Sequence, residues 1–171
     1  MSARHCAVFF LLIAAGAASG AREIEALGSR FSDLDRRLYS CAETSAHTLC
    51  RAGGKSLEHL GLPVLGMTLE YRAELLNRTT VMFDEARFAD VEGRLTARFG
   101  APEVHDEQLR SGMAGAIVNR VRVWRRDGNV AMLEQFSGKI TTSALRYLTT
   151  DDYRELMRAR DAVRVRGTRD L

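Results

Sequence analysis

Nine consecutive residues in the middle of the chain, Val64–Arg72 (VLGMTLEYR), alternate in character: Leu65, Met67, Leu69 and Tyr71 are apolar, whereas Thr68, Glu70 and Arg72 are polar. A period of two puts each set on its own face of a strand, one toward a core and one toward water. Half-buried strands of this kind belong to antiparallel sheets, because parallel strands are covered on both faces and read as continuous apolar runs. Any fold for this chain must therefore contain an antiparallel sheet, and the neighbouring segments can be read against it.

Upstream, Ser56–Leu60 reads as a short strand and Gly61-Leu62-Pro63 as a turn. Downstream, a turn at Ala73-Glu74 leads into Leu76–Asp84, whose Thr79, Thr80, Val81, Met82 and Phe83 suit a pleated surface. Asp84 can cap a helix whose apolar residues Phe88, Val91, Leu95 and Phe99 recur every three or four positions. Gly100 stops that helix and Pro102 prevents it resuming. Glu103–Ala116 reads as a mobile loop. Then come a strand over Ile117–Arg126, a hairpin turn at Asp127-Gly128-Asn129, a returning strand over Val130–Phe136 and another over Ser143–Leu148. Thr149-Thr150-Asp151-Asp152 starts a second helix, with Tyr153, Leu156, Met157 and Arg160 on its inner face.

At the other end, Ile24, Leu27, Phe31, Leu34 and Leu38 are spaced for one face of a helix over Glu23–Tyr39, with Asp33 and Arg37 placed to pair on its wet face. The fold class expected is α+β: an antiparallel sheet with helices packed on one face, built as an N-terminal helix followed by two strand-strand-strand-helix units.

The first residues predict export. Arg4 supplies positive charge, Cys6–Ala15 is an unbroken apolar run, and Gly16-Ala17-Ala18-Ser19-Gly20-Ala21 offers small residues for cleavage. The run is shorter than the roughly 20 residues of a spanning helix, and Cys6 stands at its start instead of following it at a cleavage site, where a lipidation cysteine would lie. The expected organisation is a signal peptide over residues 1–21, a single domain over 22–162 and a basic flexible tail over 163–171. The location expected is the periplasm or the exterior, with no transmembrane segment in the mature chain.

In an oxidising compartment, the close pair Cys41 and Cys50 predicts a disulfide. By the loop-entropy argument it stabilises the fold by roughly 2–3 kcal/mol. Cys41, His47, Cys50 and His59 would make a four-ligand metal set, but their spacing matches no zinc signature and exported thiolates oxidise. The formal net charge of +3 is carried almost wholly by arginine, Lys55 and Lys139 being the only lysines. With no basic stripe interleaved with aromatics, a nucleic-acid partner is not expected.

The chain contains no Gly-x-Ser-x-Gly elbow and no His-Glu-x-x-His helix. Gly138-Lys139 lacks the upstream glycine of a phosphate loop and reads as a turn. His47, His59 and His105 lie far apart in sequence. Asp84-Glu85 and Asp151-Asp152 sit where helix starts favour negative charge, and Asp106-Glu107 lies in a polar loop. No catalytic residue, cofactor or metal is implied.

One surface stands out. With Val121 and Val123 pointing into a core, Arg120, Arg122, Trp124 and Arg126 share the opposite face. Tryptophan and arginine are the residue types most enriched at binding hot spots, so this face is a candidate interaction surface, together with the N-terminal helix. The alternative is a sheet covered on both sides, with Trp124 in its core. Arg164, Arg166 and Arg169 could draw the tail to anionic lipid or wall polymers, and Asn77-Arg78-Thr79 fits the glycosylation sequon.

The order Phe88, Val91, Leu95, Phe99-Gly100-x-Pro102, then Asn119 and Trp124 on a strand, resembles a pattern in small exported bacterial envelope proteins of unassigned function. More distantly it is similar to outer-membrane assembly lipoproteins of the BamE/OmlA type, from which this chain departs by lacking a lipidation cysteine after the signal. The resemblance spans Gly61 to Leu148 and transfers no active-site residue. It implies a small α+β envelope protein that works through contacts. The function expected is therefore a non-enzymatic binding protein of the envelope, whose partner is another envelope protein or a wall or lipid component. The alternative is a small envelope hydrolase or ligand carrier with a site assembled only by folding.

Overall fold

The computed structural model describes residues 26–52, 57–111 and 115–169; the predicted signal peptide and the Gly53-Gly54 break lie outside them. The described elements in chain order are β1 (Ser40–Glu43), β2 (Thr48–Ala52), β3 (Glu58–His59), β4 (Leu62–Pro63), β5 (Gly66–Arg72), β6 (Leu75–Asp84), α1 (Phe88–Phe99), β7 (Glu103–Val104), β8 (Glu107–Ser111), β9 (Gly115–Asn119), β10 (Val121–Arg126), β11 (Asn129–Glu134), β12 (Thr142–Thr149) and α2 (Thr150–Arg169). Eight of the strands form one antiparallel sheet in the order β1-β2-β5-β6-β12-β11-β10-β7, while β3–β4 and β8–β9 are separate ribbons. No helix among the described residues is long and apolar enough to cross a bilayer.

The expected alternation organises the sheet. Met67, Leu69 and Tyr71 of β5 are buried, and Thr68, Glu70 and Arg72 are half-buried on the other face. Leu65, expected among the apolar set, is 57% exposed because it precedes the strand. The two predicted units join edge to edge: β12 pairs with β6, Leu145 opposite Val81 and Tyr147 opposite Thr79.

The helices do not share a face. Phe88, Val91 and Leu95 of α1 pack with Leu69, Val81, Phe83, Trp124, Leu133 and Leu145. Tyr153, Leu156 and Met157 of α2 pack with Val121, Val123, Val130, Met132 and Leu148. Neighbouring residues of β11 therefore go to opposite sides, Ala131 and Leu133 under α1, Val130 and Met132 under α2. An apolar run without alternation signals cover on both faces, and Val130–Leu133 (VAML) is such a run.

The expected N-terminal helix is replaced, over its described part, by two single 3₁₀ turns at Phe31–Asp33 and Arg36–Leu38. Its backbone bonds go elsewhere. Gly28 N donates to Leu76 O, Phe31 N to Glu74 O, and Leu76 N to Ser29 O, so the segment lies along the start of β6. Phe31 and Leu34 still reach the core, which is why their spacing imitated a helix. Arg37 pairs with Asp35 at 2.9 Å, not with Asp33.

Three further differences concern strands. The Cys41–Cys50 loop is a β1–β2 hairpin. The expected mobile loop over 103–116 holds β7, β8 and the start of β9. The strand expected over Ile117–Arg126 is interrupted at Arg120. The helix α2 continues to Arg169, through most of the expected basic tail.

Two hairpins turn through two residues at positive φ, Asp127-Gly128 (49° and 77°) and Ala73-Glu74 (47° and 66°). Glycine suits the first, whereas the second holds two L-residues in a region that costs each about 1 kcal/mol. The pair Ala73→Asn with Glu74→Gly should therefore raise unfolding stability by about 1–2 kcal/mol, read as a higher urea midpoint with unchanged slope; an unaltered or lower midpoint would contradict this account of the turn.

Candidate functional site

Trp124 is on the face that the alternation assigned to it, together with Arg122, but α1 lies over that face. The indole is 4% exposed, and its Nε1 donates to Gly100 O at 2.9 Å, which ties the strand to the residue that ends the helix. Arg122 donates from Nε to Glu92 Oε1 of α1 at 2.7 Å and from Nη1 to Asp106 Oδ1 at 2.6 Å. Arg126 is exposed beside Asp127, and Arg120 is exposed at the break between β9 and β10. The four residues thus do not form the exposed arginine-lined tryptophan patch described above: two hold α1 and its following turn, and two stand apart at the strand's ends.

Cys41 and Cys50 are joined in a disulfide, directly opposite one another in the β1–β2 ladder. Neither therefore offers a thiolate to the metal set considered above, and no metal-ligating cluster occurs among the described residues. The histidines have separate surroundings. His47 lies in the hairpin turn, its carbonyl accepting from Thr44. His105 faces Glu103 at 3.3 Å on the surface.

His59 shares a 2.9 Å hydrogen bond with the Tyr147 hydroxyl, and its ring stands edge-on to that of Tyr147 and near Phe83. Burial, reinforced by the nearby Arg98 charge, pushes the His59 pKa down to about 4. Burial likewise pushes the Tyr147 hydroxyl up to about 12, against the opposing pull of Arg98. Near neutral pH both are uncharged, so the pair acts as a hydrogen bond closing the β3–β4 ribbon onto β12. It is poorly tuned for proton transfer, which works best with a pKa near the operating pH.

The richest polar constellation lies on the α2 side, around Glu134, whose side chain is 7% exposed. Arg146 of β12 reaches Glu134 Oε2 at 2.6 Å and donates to Ser137 Oγ at 2.8 Å. Arg160 of α2 bonds Glu134 Oε1 and lies 3.4 Å from Glu107 of β8. Asn119, fully buried, donates to the same Oε1 at 3.2 Å and accepts from Phe136 N at 2.8 Å. Two carboxylates thus face two guanidiniums, and the network ties α2, β8, β9, β11 and β12 together. The signals were present in sequence: Glu134 ends an apolar run, and Arg160 was placed on the inner face of its helix. Their convergence was not visible.

A second network sits at the start of α2. Arg72 reaches Glu70, Asp152 and Glu155 at 3.0, 3.0 and 3.2 Å, beside an open hollow that Asn77 and Arg158 also line. Thr149 Oγ1 donates to Asp152 Oδ2 at 2.6 Å and accepts from Asp152 N, so the acidic pair Asp151-Asp152 marks a helix start as expected. Asp84, expected to cap α1, instead accepts from Ala86 N and caps the 3₁₀ turn Glu85–Arg87 that leads into that helix. No family model, curated protein or solved structure matches the chain.

Removing one partner of a buried ion network leaves the others uncompensated. Glu134→Gln should therefore cost about 3 kcal/mol of stability in denaturant titration; a loss below about 1 kcal/mol, the range of surface pairs, would show that the network is solvated. Burial makes the folded chain a weaker base at His59 than the unfolded chain. Between its ordinary value of 6.5 and about 4, the unfolded chain holds a proton that the folded chain refuses. Stability should accordingly fall by roughly 2–3 kcal/mol as pH drops through that window, and His59→Gln should flatten the fall. Parallel stability curves for the two proteins over this range would refute the assignment.

Proposed function

We propose that this chain is an exported, non-catalytic binding domain of the cell envelope, acting in the periplasm or outside the cell. The observation that carries this reading is the uneven cover of the sheet. Among the described residues, the α1 face is roofed by α1, Phe31 and Leu34, whereas on the opposite face the cluster under α2 draws on β10, β11 and β12 alone. Beyond it, β5 and β6 present Thr68, Glu70, Arg72, Arg78 and Thr80 half-exposed, and Met82 exposed. Register sets Arg51, Thr68, Thr80 and Arg146 in one row across four strands.

An open sheet surface of hydroxyls and guanidiniums suits recognition of another protein or a wall component better than enclosure of a small substrate. The hydrolase and carrier alternatives find less support. His59 is bonded to a tyrosine, and the polar groups around Glu134 are engaged with one another. The export signal supports the location. The resemblance to small envelope proteins supports action through contacts, with an envelope protein the favoured partner.

A photo-crosslinking side chain at Thr68 or Thr80 should give a discrete adduct in the native envelope, whereas one at the exposed Ala97 on the outside of α1 should not. Equal labelling from all three positions, or none from the sheet positions, would overturn the choice of surface.

A further inference from the structure

Strand β1 forms one edge of the sheet and is held there by unusual means. All four of its side chains are exposed. Among the described residues its one sheet neighbour is β2, paired through Ser40↔Arg51, Cys41↔Cys50, Ala42↔Leu49 and Glu43↔Thr48. The next strand inward differs. Cys50 and Ala52 of β2 are buried in the α1-side core, and β2 pairs with β5 over its whole length. On the N-terminal side Tyr39 packs against the core, and on the other side of β1 the turn is closed by Thr44 and His47. A four-residue ladder without side-chain burial is marginal in water. Its remaining tie is the Cys41–Cys50 bond, which joins an exposed residue to a fully buried one.

We propose that the Cys41–Cys50 disulfide is a reducible latch: a dithiol that opens it releases β1 while the rest of the sheet stays folded, and so uncovers the β2 edge for an extended strand of a partner. A thiolate of the dithiol attacks Sγ of the exposed Cys41. The S–S bond breaks, and Cys50 leaves as a thiolate that takes up a proton. The second thiolate of the dithiol then attacks the mixed disulfide, and Cys41 departs and is protonated in turn. Two electrons and two protons pass to the cysteines, and the reductant ends as its own disulfide. Cys50 returns to the core as a small apolar thiol. The outer edge of β2 is left with unpaired N–H and C=O groups, which template the addition of another strand.

The test is hydrogen exchange on the full chain with and without dithiothreitol under native conditions, with site-resolved alkylation of the freed thiols. Cys41 should become alkylated. Amides of residues 40–43, and those of 48–52 that pair with them, should exchange roughly tenfold faster or more, while β11 and β12 keep their protection. A disulfide that resists dithiothreitol until denaturant is added would overturn the proposal. So would unchanged protection over 40–43, or a loss of protection throughout the sheet, which would make the bond a staple of the whole fold. The double substitution Cys41→Ser with Cys50→Ala should reproduce the reduced pattern without reductant. Failure of that variant to fold, with wild-type protection also collapsing on reduction, would assign the bond to global stability and sink the latch.

Discussion

Burial of β11 on both of its faces is the constraint on which the rest of the structure depends. Five of its six residues are buried, in an unbroken run from Val130 to Glu134. A strand whose odd and even side chains are both withdrawn from water must have a layer on each side, and a single helix cannot supply both. The chain supplies α1 for Ala131 and Leu133 and α2 for Val130 and Met132. The position of both helices, the pairing of β12 on one side and β10 on the other, and the burial of Trp124 follow from that requirement.

The same geometry explains where the charges are. Glu134 lies at the end of the doubly covered strand, so its carboxylate cannot reach bulk water and must be met inside the fold. Arg146 from the neighbouring strand and Arg160 from the covering helix meet it, with Asn119 completing the set. An ion network of this kind adds little net stability compared with apolar packing, but leaving any member unpaired is costly. It therefore selects one seating of α2 over the sheet. At the far margin, where all four side chains of β1 are exposed, the stabilising device is covalent instead.

Much of this was legible in the residues themselves. The alternation in Val64–Arg72 marked β5 and its two faces, the Asp127-Gly128 pair marked the hairpin, and Phe88, Val91, Leu95 and Gly100 marked α1 and its stop, with Asp84 capping the 3₁₀ turn that leads into it. What failed did so for identifiable reasons. Phe31 and Leu34 carry a helical spacing, yet the backbone around them bonds to the start of β6, an alternative that no local pattern reveals. The ladder from Thr48 to Ala52, which straddles the end of the disulfide loop, was hidden because its alternation is short and its partners, β1 and β5, lie on either side of it in space. Of the candidate site, the disulfide was readable from the close spacing of Cys41 and Cys50 together with the expectation of export. The convergence on Glu134 was not, since Glu134, Arg146 and Arg160 belong to separate elements.

Trp124 shows where the boundary lies. Alternation alone determined that it shares a face with Arg122 and opposes Val121 and Val123, because a strand's side chains have no other periodicity. Whether that face meets water or protein is a property of what the rest of the chain lays over it, and here α1 and the carbonyl of Gly100 do so. The local sequence thus determined the central strands and their faces, the stop of α1, the start of α2 and the cysteine pair. Only tertiary structure decided which faces are covered, which charges meet, and which half of the sheet remains open, because those outcomes depend on contacts between segments distant in the chain.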